Sequence, residues 1–147
     1  MSAKTVAIAC DHAGFNLKSV LKQDLEDLGY TPLDLGTNGP ESVDYPDFGQ
    51  ALGEAIADGR ADMGVLVCGS VIGISIAANR NPAVRAAVVT NSLTAQLSRQ
   101  HNDANVVCFG ERLVGSEIAR NAMKVFRETE FEGGRHARRV DKLSVTP

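Results

Sequence analysis

The sequence lacks the charge that would direct a protein to nucleic acid. Its 147 residues include 15 lysines and arginines against 18 aspartates and glutamates, so the formal net charge is −3. A chain with this balance has no global positive field to attract a phosphodiester backbone. We therefore expect no nucleic-acid partner, and any anionic ligand must be captured by a local cluster of basic side chains.

Long apolar runs and paired cysteines are also missing. The uncharged run 63–79 is shorter than the ~20 residues of a membrane-spanning helix, so no membrane contact is expected. Cys10, Cys68 and Cys108 show no CxxC spacing and leave an odd cysteine, which argues against a disulfide framework. A strand pattern begins within the first residues and leaves no apparent signal peptide. Together these observations predict a cytoplasmic protein.

What the sequence does contain is a regular alternation of strand-like and helix-like segments. Hydrophobic residues make up 44% of the chain, enough to build the core of one domain over residues 1–147. The β-branched runs that predict strands are 5–9, 31–35, 65–67, 84–89 and 106–109. Apolar residues at helical spacing follow them, including a short helix over 93–99. This rhythm predicts an α/β protein with a three-layer, Rossmann-like fold and a five-stranded parallel sheet.

The stretch 65–79 is the most informative part of the chain. A strand that ends in a glycine-containing turn and enters a helix presents backbone N–H groups to an anion or a developing oxyanion. Cys68 is the first residue past this strand, where the helix dipole can lower its pKa. A thiol beside such donors favours an active site. Glycine turns also serve close packing alone, and buried cysteine is often a small hydrophobic residue, so the structural interpretation stays open.

Polar or reactive side chains follow other predicted strands: Asp11 and His12, Thr90 and Asn91, and Arg112. Ligands of parallel sheets bind beyond the carboxyl ends of the strands, so this clustering favours a single site. His101 begins a segment, 101–105, that is too polar to continue the preceding helix, which predicts a turn near that site. The alternatives are a helix N-cap for Asp11, an exposed imidazole for His12 and a helix C-terminal contact for His101.

The tail carries a second basic group. Arg135 and Arg139 are four residues apart and share a face if the tail is helical. With Arg112 they could clamp a phosphate through charge-assisted hydrogen bonds. The alternatives are a solvated basic tail and weak contact with nucleic acid, and the acidic balance of the chain argues against the second.

Two other kinds of site are not expected. The three histidines are far apart in sequence, and no group of His, Cys and carboxylate residues shows ligand spacing, so no metal site is expected. A thiol phosphatase requires an arginine six positions after its cysteine, and the residue there is Ile74.

Six segments carry a family resemblance. They are 10–15 (CDHAGF), 44–47 (DYPD), 67–70 (VCGS), 73–79 (GISIAAN), 99–105 (RQHNDAN) and 133–136 (GGRH). In this order, over nearly the whole chain, they resemble ribose 5-phosphate isomerase B, a family in one superfamily with galactose 6-phosphate isomerase. His-Asn-Asp-x-Asn together with the Cys-Gly turn is a specific signature.

The resemblance implies an aldose–ketose isomerase that interconverts ribose 5-phosphate and ribulose 5-phosphate in the non-oxidative pentose phosphate pathway. It implies an enediolate intermediate and no metal or organic cofactor. It also implies a homodimer or a tetramer of two dimers, with loops from two subunits completing each site and the tail 132–147 packing on a partner subunit. The alternatives are an isomerase of a six-carbon sugar phosphate (allose or galactose 6-phosphate) and a sugar-phosphate-binding protein with impaired catalysis.

The resemblance also implies roles for individual residues. The residue matching Cys68 moves a proton between C1 and C2, the one matching His101 assists opening of the furanose ring, and Asp11 lies close to the sugar oxygens. The other implied site residues are Ser70 in the catalytic group, Asn102 and the backbone of Gly69, Ser70, Val71, Ile72 and Gly73 around the enediolate, and His12, Arg112, Arg135 and Arg139 on phosphate and substrate. Tyr45 could set the length of the pocket.

One residue departs from the family pattern. The pattern usually reads Cys-Gly-Thr/Ser-Gly, and its second glycine is Val71 here. A β-branched residue tolerates a positive φ poorly, so a left-handed Val71 would store about 1–3 kcal/mol of strain or shift the turn. Ser70 in place of threonine keeps the hydroxyl.

Overall fold

The computed structural model describes residues 4–144. Its centre is a sheet of five parallel strands in the order β2-β1-β3-β5-β4. The strands are β1 (Thr5–Cys10), β2 (Thr31–Asp34), β3 (Met63–Cys68), β4 (Ala86–Val88) and β5 (Val106–Gly110). The helices are α1 (Phe15–Asp27), α2 (Tyr45–Ala57), α3 (Ile72–Asn79), α4 (Ser92–Asn102), α5 (Ser116–Glu128) and α6 (Arg135–Leu143), and a single 3-10 turn, His12–Gly14, precedes α1.

The sheet is covered by helices on both faces, which confirms the predicted three-layer α/β fold. Side chains of β1 alternate between two hydrophobic clusters: Val6 and Ile8 pack with residues of α1, α4 and α5, while Ala7 and Ala9 pack with residues of α2 and α3. Because β1, β3 and β5 are buried on both faces, their sequences read as continuous apolar runs. Within the described part of the chain, no helix is long and apolar enough to cross a bilayer.

The end of α4 differs from the sequence prediction. The helix was expected to stop at 99, but it continues through Asn102, so His101 and Asn102 are helical and not in a turn. The helix ends at Asp103, whose φ of 47° is left-handed. The Arg99 guanidinium donates to the Asp103 carboxylate at 2.9 Å and to the Ala104 carbonyl at 2.6 Å. These contacts pair Asp103, one of the polar residues that appeared unfavourable for a helix.

Strand β4 is shorter than expected, because side chains replace part of its backbone pairing. The Arg85 N–H donates to Asn105 Oδ1 at 2.8 Å, and Asn105 Nδ2 donates to the Ala83 carbonyl at 2.8 Å. The predicted strand over 84–89 is therefore reduced to Ala86–Val88.

Candidate active site

Asp11 and Cys68 meet at the carboxyl edge of the sheet. Strands β1 and β3 are neighbours, with Cys10 opposite Val67, so the residues that follow these two positions are brought side by side. Cys68 Sγ donates to Asp11 Oδ2 at 3.3 Å, and the exposed fractions of the two residues are only 7% and 6%. The other carboxylate oxygen of Asp11 accepts from the Ala13 N–H at 3.0 Å and caps the 3-10 turn. Asp11 is therefore a cap and a partner of the thiol at the same time.

The environment of Cys68 raises the pKa of its thiol. Burial is the largest cause, and the charge and hydrogen bond of Asp11 act in the same direction. Backbone hydrogen bonds from Val71 and Gly69 act in the opposite direction but do not prevail. The expectation that the helix terminus lowers this pKa was wrong, because it neglected burial and the neighbouring carboxylate.

The turn between β3 and α3 is held in an unusual backbone conformation. Val71 has φ 69° and ψ −14°, and it is one of two non-glycine residues with positive φ in the described chain. Its side chain is buried in the cluster formed with α2 and α3. The glycine-like turn expected from the family pattern is thus kept by a valine. Gly73 follows at the start of α3, where a Cβ atom would overlap the ring of Tyr45.

Further predicted site residues lie at this same edge. His12 Nδ1 accepts from the Val43 N–H at 3.1 Å, so the neutral ring carries its proton on Nε2. The Arg112 N–H donates to the Gly69 carbonyl at 3.1 Å. The Arg112 guanidinium lies over Gly69, since a Cβ atom added there would be 3.5 Å from Cζ. Ser70 is exposed. These residues form what we call the thiol half-site: Asp11, His12, Tyr45, Cys68–Gly73 and Arg112.

The remaining predicted residues form a separate group, which we call the arginine half-site. His101 and Asn102 of α4 and Arg135 and Arg139 of α6 line one cavity of about 410 Å³. The tail is helical from Arg135, so its two arginines are one turn apart, as the four-residue spacing indicated. Helix α6 packs against α4 of its own chain.

The two half-sites lie at opposite edges of the sheet. Helix α4 returns the chain from the end of β4 to the beginning of β5, so His101 is near the amino end of β5. Gly64, at the amino end of β3, donates its N–H to the Asn105 carbonyl at 2.9 Å, four residues after His101. Cys68 ends the same strand, and the four residue steps from Gly64 to Cys68 span about 13 Å. Within this chain His101 therefore lies in the last turn of α4 at the amino edge of the sheet, and not in a turn near the carboxyl ends of the strands as the sequence analysis expected.

Two residues near His101 were missed by the sequence analysis. The imidazoles of His101 and His136 are stacked, with ring centroids 4.4 Å apart. Glu132 Oε1 lies 3.6 Å from His136 Nε2 and 4.0 Å from His101 Nε2. Burial, together with the charges of Arg135 and His101, lowers the pKa of His136. The Glu-x-x-x-His spacing was the available signal, but no spacing in the sequence indicated that His101 contacts these two residues.

Comparison with known proteins decides the family. A family model described as Ribose/Galactose Isomerase matches residues 6–143. The chain belongs to this ribose/galactose isomerase family. Among its relatives in this family, ribose-5-phosphate isomerase B of Escherichia coli is 43% identical over 142 residues, covering 97% of this chain and 95% of the relative.

Solved structures of the same family share the fold. Ribose-5-phosphate isomerase B of Clostridium thermocellum superposes with a TM-score of 0.94 at 49% identity, covering 95% of each chain. The type B ribose 5-phosphate isomerase of Trypanosoma brucei gives a TM-score of 0.93 at 41% identity, covering 97% of each chain. The ribose/galactose isomerase fold is thus present over nearly the entire chain.

Proposed function

We propose that the protein is a type B ribose 5-phosphate isomerase, which interconverts ribose 5-phosphate and ribulose 5-phosphate. The observation that carries this proposal is the contact between Cys68 Sγ and Asp11 Oδ2 beneath the backbone N–H groups of the β3–α3 turn. A base beside oxyanion donors is what enediolate chemistry needs. The names of the relatives in E. coli and C. thermocellum support the same substrate.

The proposed proton path begins at the thiol. The Cys68 proton passes to Asp11, which already accepts the S–H hydrogen bond, and the resulting thiolate removes the proton from C2 of the open-chain aldose. The C2–H electron pair forms the C1–C2 double bond, and the carbonyl electrons move to O1. The proton then returns from sulfur to C1, and the C2 hydroxyl proton passes to O1, which leaves a ketone at C2 and a hydroxyl at C1. Asp11 finally returns its proton to the Cys68 thiolate.

The turn provides stabilisation where negative charge develops. The backbone N–H groups of Gly69 and Val71 point towards Cys68 Sγ and lower its pKa against the effect of burial. In the proposed reaction, N–H groups from Gly69 to Gly73 also hold the enediolate oxygens, assisted by the Ser70 hydroxyl. Removing one donor of this kind typically lowers the rate about 10²–10³-fold.

We further propose that the site is completed by a second subunit in a homodimer. One chain keeps Cys68 and His101 at opposite edges of its sheet, so ring opening by His101 at a Cys68 site requires the partner's His101. Apolar side chains on α3 and β4 support this assembly, because Ile72 is 60% exposed, Ile76 55% and Val88 46%. Ile72 is the first residue of α3, directly after the turn beside Cys68, so a subunit covering this surface would also reach the thiol half-site. Pairing of two such dimers would give the tetramer.

In this arrangement the phosphate is held from both sides. Arg112 and His12 approach from the thiol half-site, while the partner's Arg135 and the partner's Arg139 approach from the other subunit, with the partner's Asn102 near the sugar. Capture at the far end of the substrate positions C1 and C2 against Cys68. The three free cysteines support a reducing compartment, and we propose a cytoplasmic enzyme of the non-oxidative pentose phosphate pathway.

The experiment is solvent deuterium exchange at C1 and C2, followed by NMR over a panel of ribose, allose and galactose phosphates. We expect exchange and turnover with ribose 5-phosphate. Turnover confined to a six-carbon substrate would instead favour the alternative in which the Tyr45 ring against Gly73 sets a longer pocket. Binding of every substrate without exchange would contradict the isomerase and favour a sugar-phosphate-binding protein.

A further inference from the structure

Three potential metal ligands cluster at the arginine half-site: His101, which belongs to it, and its neighbours Glu132 and His136. The proposed isomerisation uses only His101 of these three. His101, Glu132 and His136 each offer one ligand atom, and these atoms all lie within 4.8 Å of one another. We propose that His101, Glu132 and His136 form a binding site for a divalent transition metal of the zinc type, and that the bound metal inhibits ring opening. The inhibitory part rests on the proposed role of His101, whereas the binding part does not.

The ligand types fit such a metal. Two imidazole nitrogens and one carboxylate oxygen with an open fourth position are a common donor set for zinc. Metal–ligand bonds of about 2.0–2.1 Å in a tetrahedron place neighbouring ligand atoms about 3.3 Å apart. The observed separations from Glu132 Oε1 are 3.6 Å to His136 Nε2 and 4.0 Å to His101 Nε2, only slightly longer than the tetrahedral spacing.

The backbone holds the three residues in place. The Glu132 N–H donates to the Gln100 carbonyl at 3.1 Å, which ties the start of the tail to the last turn of α4. Gly133 and Gly134, with φ of 68° and 54°, then turn the chain into α6 and bring the His136 side chain close to that of Glu132. The imidazole planes are 15° from parallel, so both lone pairs reach one metal only after one ring rotates. The His101 side chain is 40% exposed and has room to do so.

The charges of the cavity set a condition on binding. Arg135 and Arg139 line the same cavity and repel a cation, whereas Glu132 attracts it. A phosphate held by the two arginines cancels most of that repulsion. Metal and phosphate should therefore strengthen each other's binding, and by linkage the factor must be the same in both directions.

The bound metal would inhibit only the opening of the furanose ring. It takes the His101 lone pair, and a metal-bound imidazole cannot exchange a proton with the ring oxygen of the sugar. Ribulose 5-phosphate carries its phosphate on O5 and has no furanose form, so exchange of its C1 protons with solvent requires Cys68 but no ring opening. The metal should inhibit turnover of ribose 5-phosphate and leave this exchange largely intact.

Binding is tested first with Co²⁺, titrated into the full chain and followed by its visible absorption. We expect one tetrahedral site per chain without a thiolate-to-cobalt band. Glu132→Gln and His136→Asn should each weaken binding by more than about tenfold, since even outer-sphere partners of ligands contribute that much. Glu130→Gln, an exposed change of the same kind two residues away, should leave it unchanged. Absence of binding, equal binding by all three variants, or a thiolate band from Cys68 would overturn the proposal.

The inhibitory part is tested with Zn²⁺ on turnover and on C1 exchange in parallel. Loss of ribose 5-phosphate turnover with preserved C1 exchange supports it. Equal loss of both activities would overturn the inhibitory mechanism. If the wild-type chain shows neither activity without metal, the proposed function fails, and the Co²⁺ titration still decides whether the metal site exists.

Discussion

Replacing Val71 by glycine tests whether the turn beneath Cys68 stores backbone strain. Val71 has a left-handed backbone conformation, which costs an L-residue about 1–2 kcal/mol of free energy. Its side chain is 1% exposed, and burying a valine contributes about 1.5–3 kcal/mol. Replacement by glycine removes this strain, which stabilises the fold, but it also removes the buried side chain. Glycine loses more backbone entropy on folding, which destabilises the fold by about 0.5–1 kcal/mol more. We expect the free energy of unfolding to fall by a net amount of about 1–2 kcal/mol.

A matched control isolates the strain. Val89 is also 1% exposed, but its φ is not positive. Val89→Gly also removes a buried valine side chain, but it releases no backbone strain. It should therefore lower the free energy of unfolding by about 2–4 kcal/mol. Equilibrium urea unfolding of the two variants measures the difference, which should equal the strain of about 1–2 kcal/mol. If Val71→Gly destabilises the protein as much as Val89→Gly or more, the reasoning is refuted.

The same variant tests the oxyanion donors. Glycine adopts the left-handed conformation readily, so the turn should keep its shape and kcat should stay the same or rise. A fall in kcat with an unchanged fold would show that the turn has adapted to valine.

The remaining predictions concern the buried polar residues. Cys68→Ala should fold normally by circular dichroism and lose turnover by orders of magnitude; unchanged turnover would remove the thiol from the mechanism. Asp11→Asn should lower the pKa of Cys68, measured by the pH dependence of alkylation, because the carboxylate charge and acceptor raise it; an unchanged or higher pKa would contradict this. Lys18→Met should lower the free energy of unfolding by up to about 3–5 kcal/mol, because it removes the buried ammonium group that pairs with Asp34 at 2.8 Å. The control Lys22→Met changes a half-exposed partner of the same carboxylate and should lower it by only about 0–1 kcal/mol. Lys18 helps to hold the pKa of Asp34 below its ordinary value of 3.8, so the ion pair stabilises the fold above pH 3.8 and is lost as the pH falls through the lowered pKa. The stability difference between Lys18→Met and the wild-type chain should therefore become smaller in acid.

The fold could be predicted because local and global preferences agree. Strands β1, β3 and β5 are buried on both faces, so their apolar runs are continuous and their ends are marked by polar residues. The end of α4 was misjudged, because the ion pair of Arg99 with Asp103 across the last turn stabilises a helix end that periodicity cannot reveal.

The thiol half-site was predictable for a related reason. Parallel strands place their carboxyl ends at one edge of the sheet, so the sequence predicted that Asp11 and Cys68 share a site. Their direct contact also requires β1 and β3 to be neighbours, which the structure shows. The pKa of Cys68 depends on burial and on the orientation of one carboxylate, which the sequence does not specify. The stacking of His101 on His136 depends on how α6 packs against α4, and residues 35 positions apart carry no local signal of that contact.

The most direct test of the shared site is complementation between two inactive variants. Cys68→Ala and His101→Ala are purified separately, mixed, unfolded and refolded together, and assayed with ribose 5-phosphate. In a two-fold symmetric dimer each mixed pair regains one intact site, so random pairing predicts about one quarter of wild-type activity. Activity no higher than that of the separate variants would contradict a site built from Cys68 of one subunit and the partner's His101.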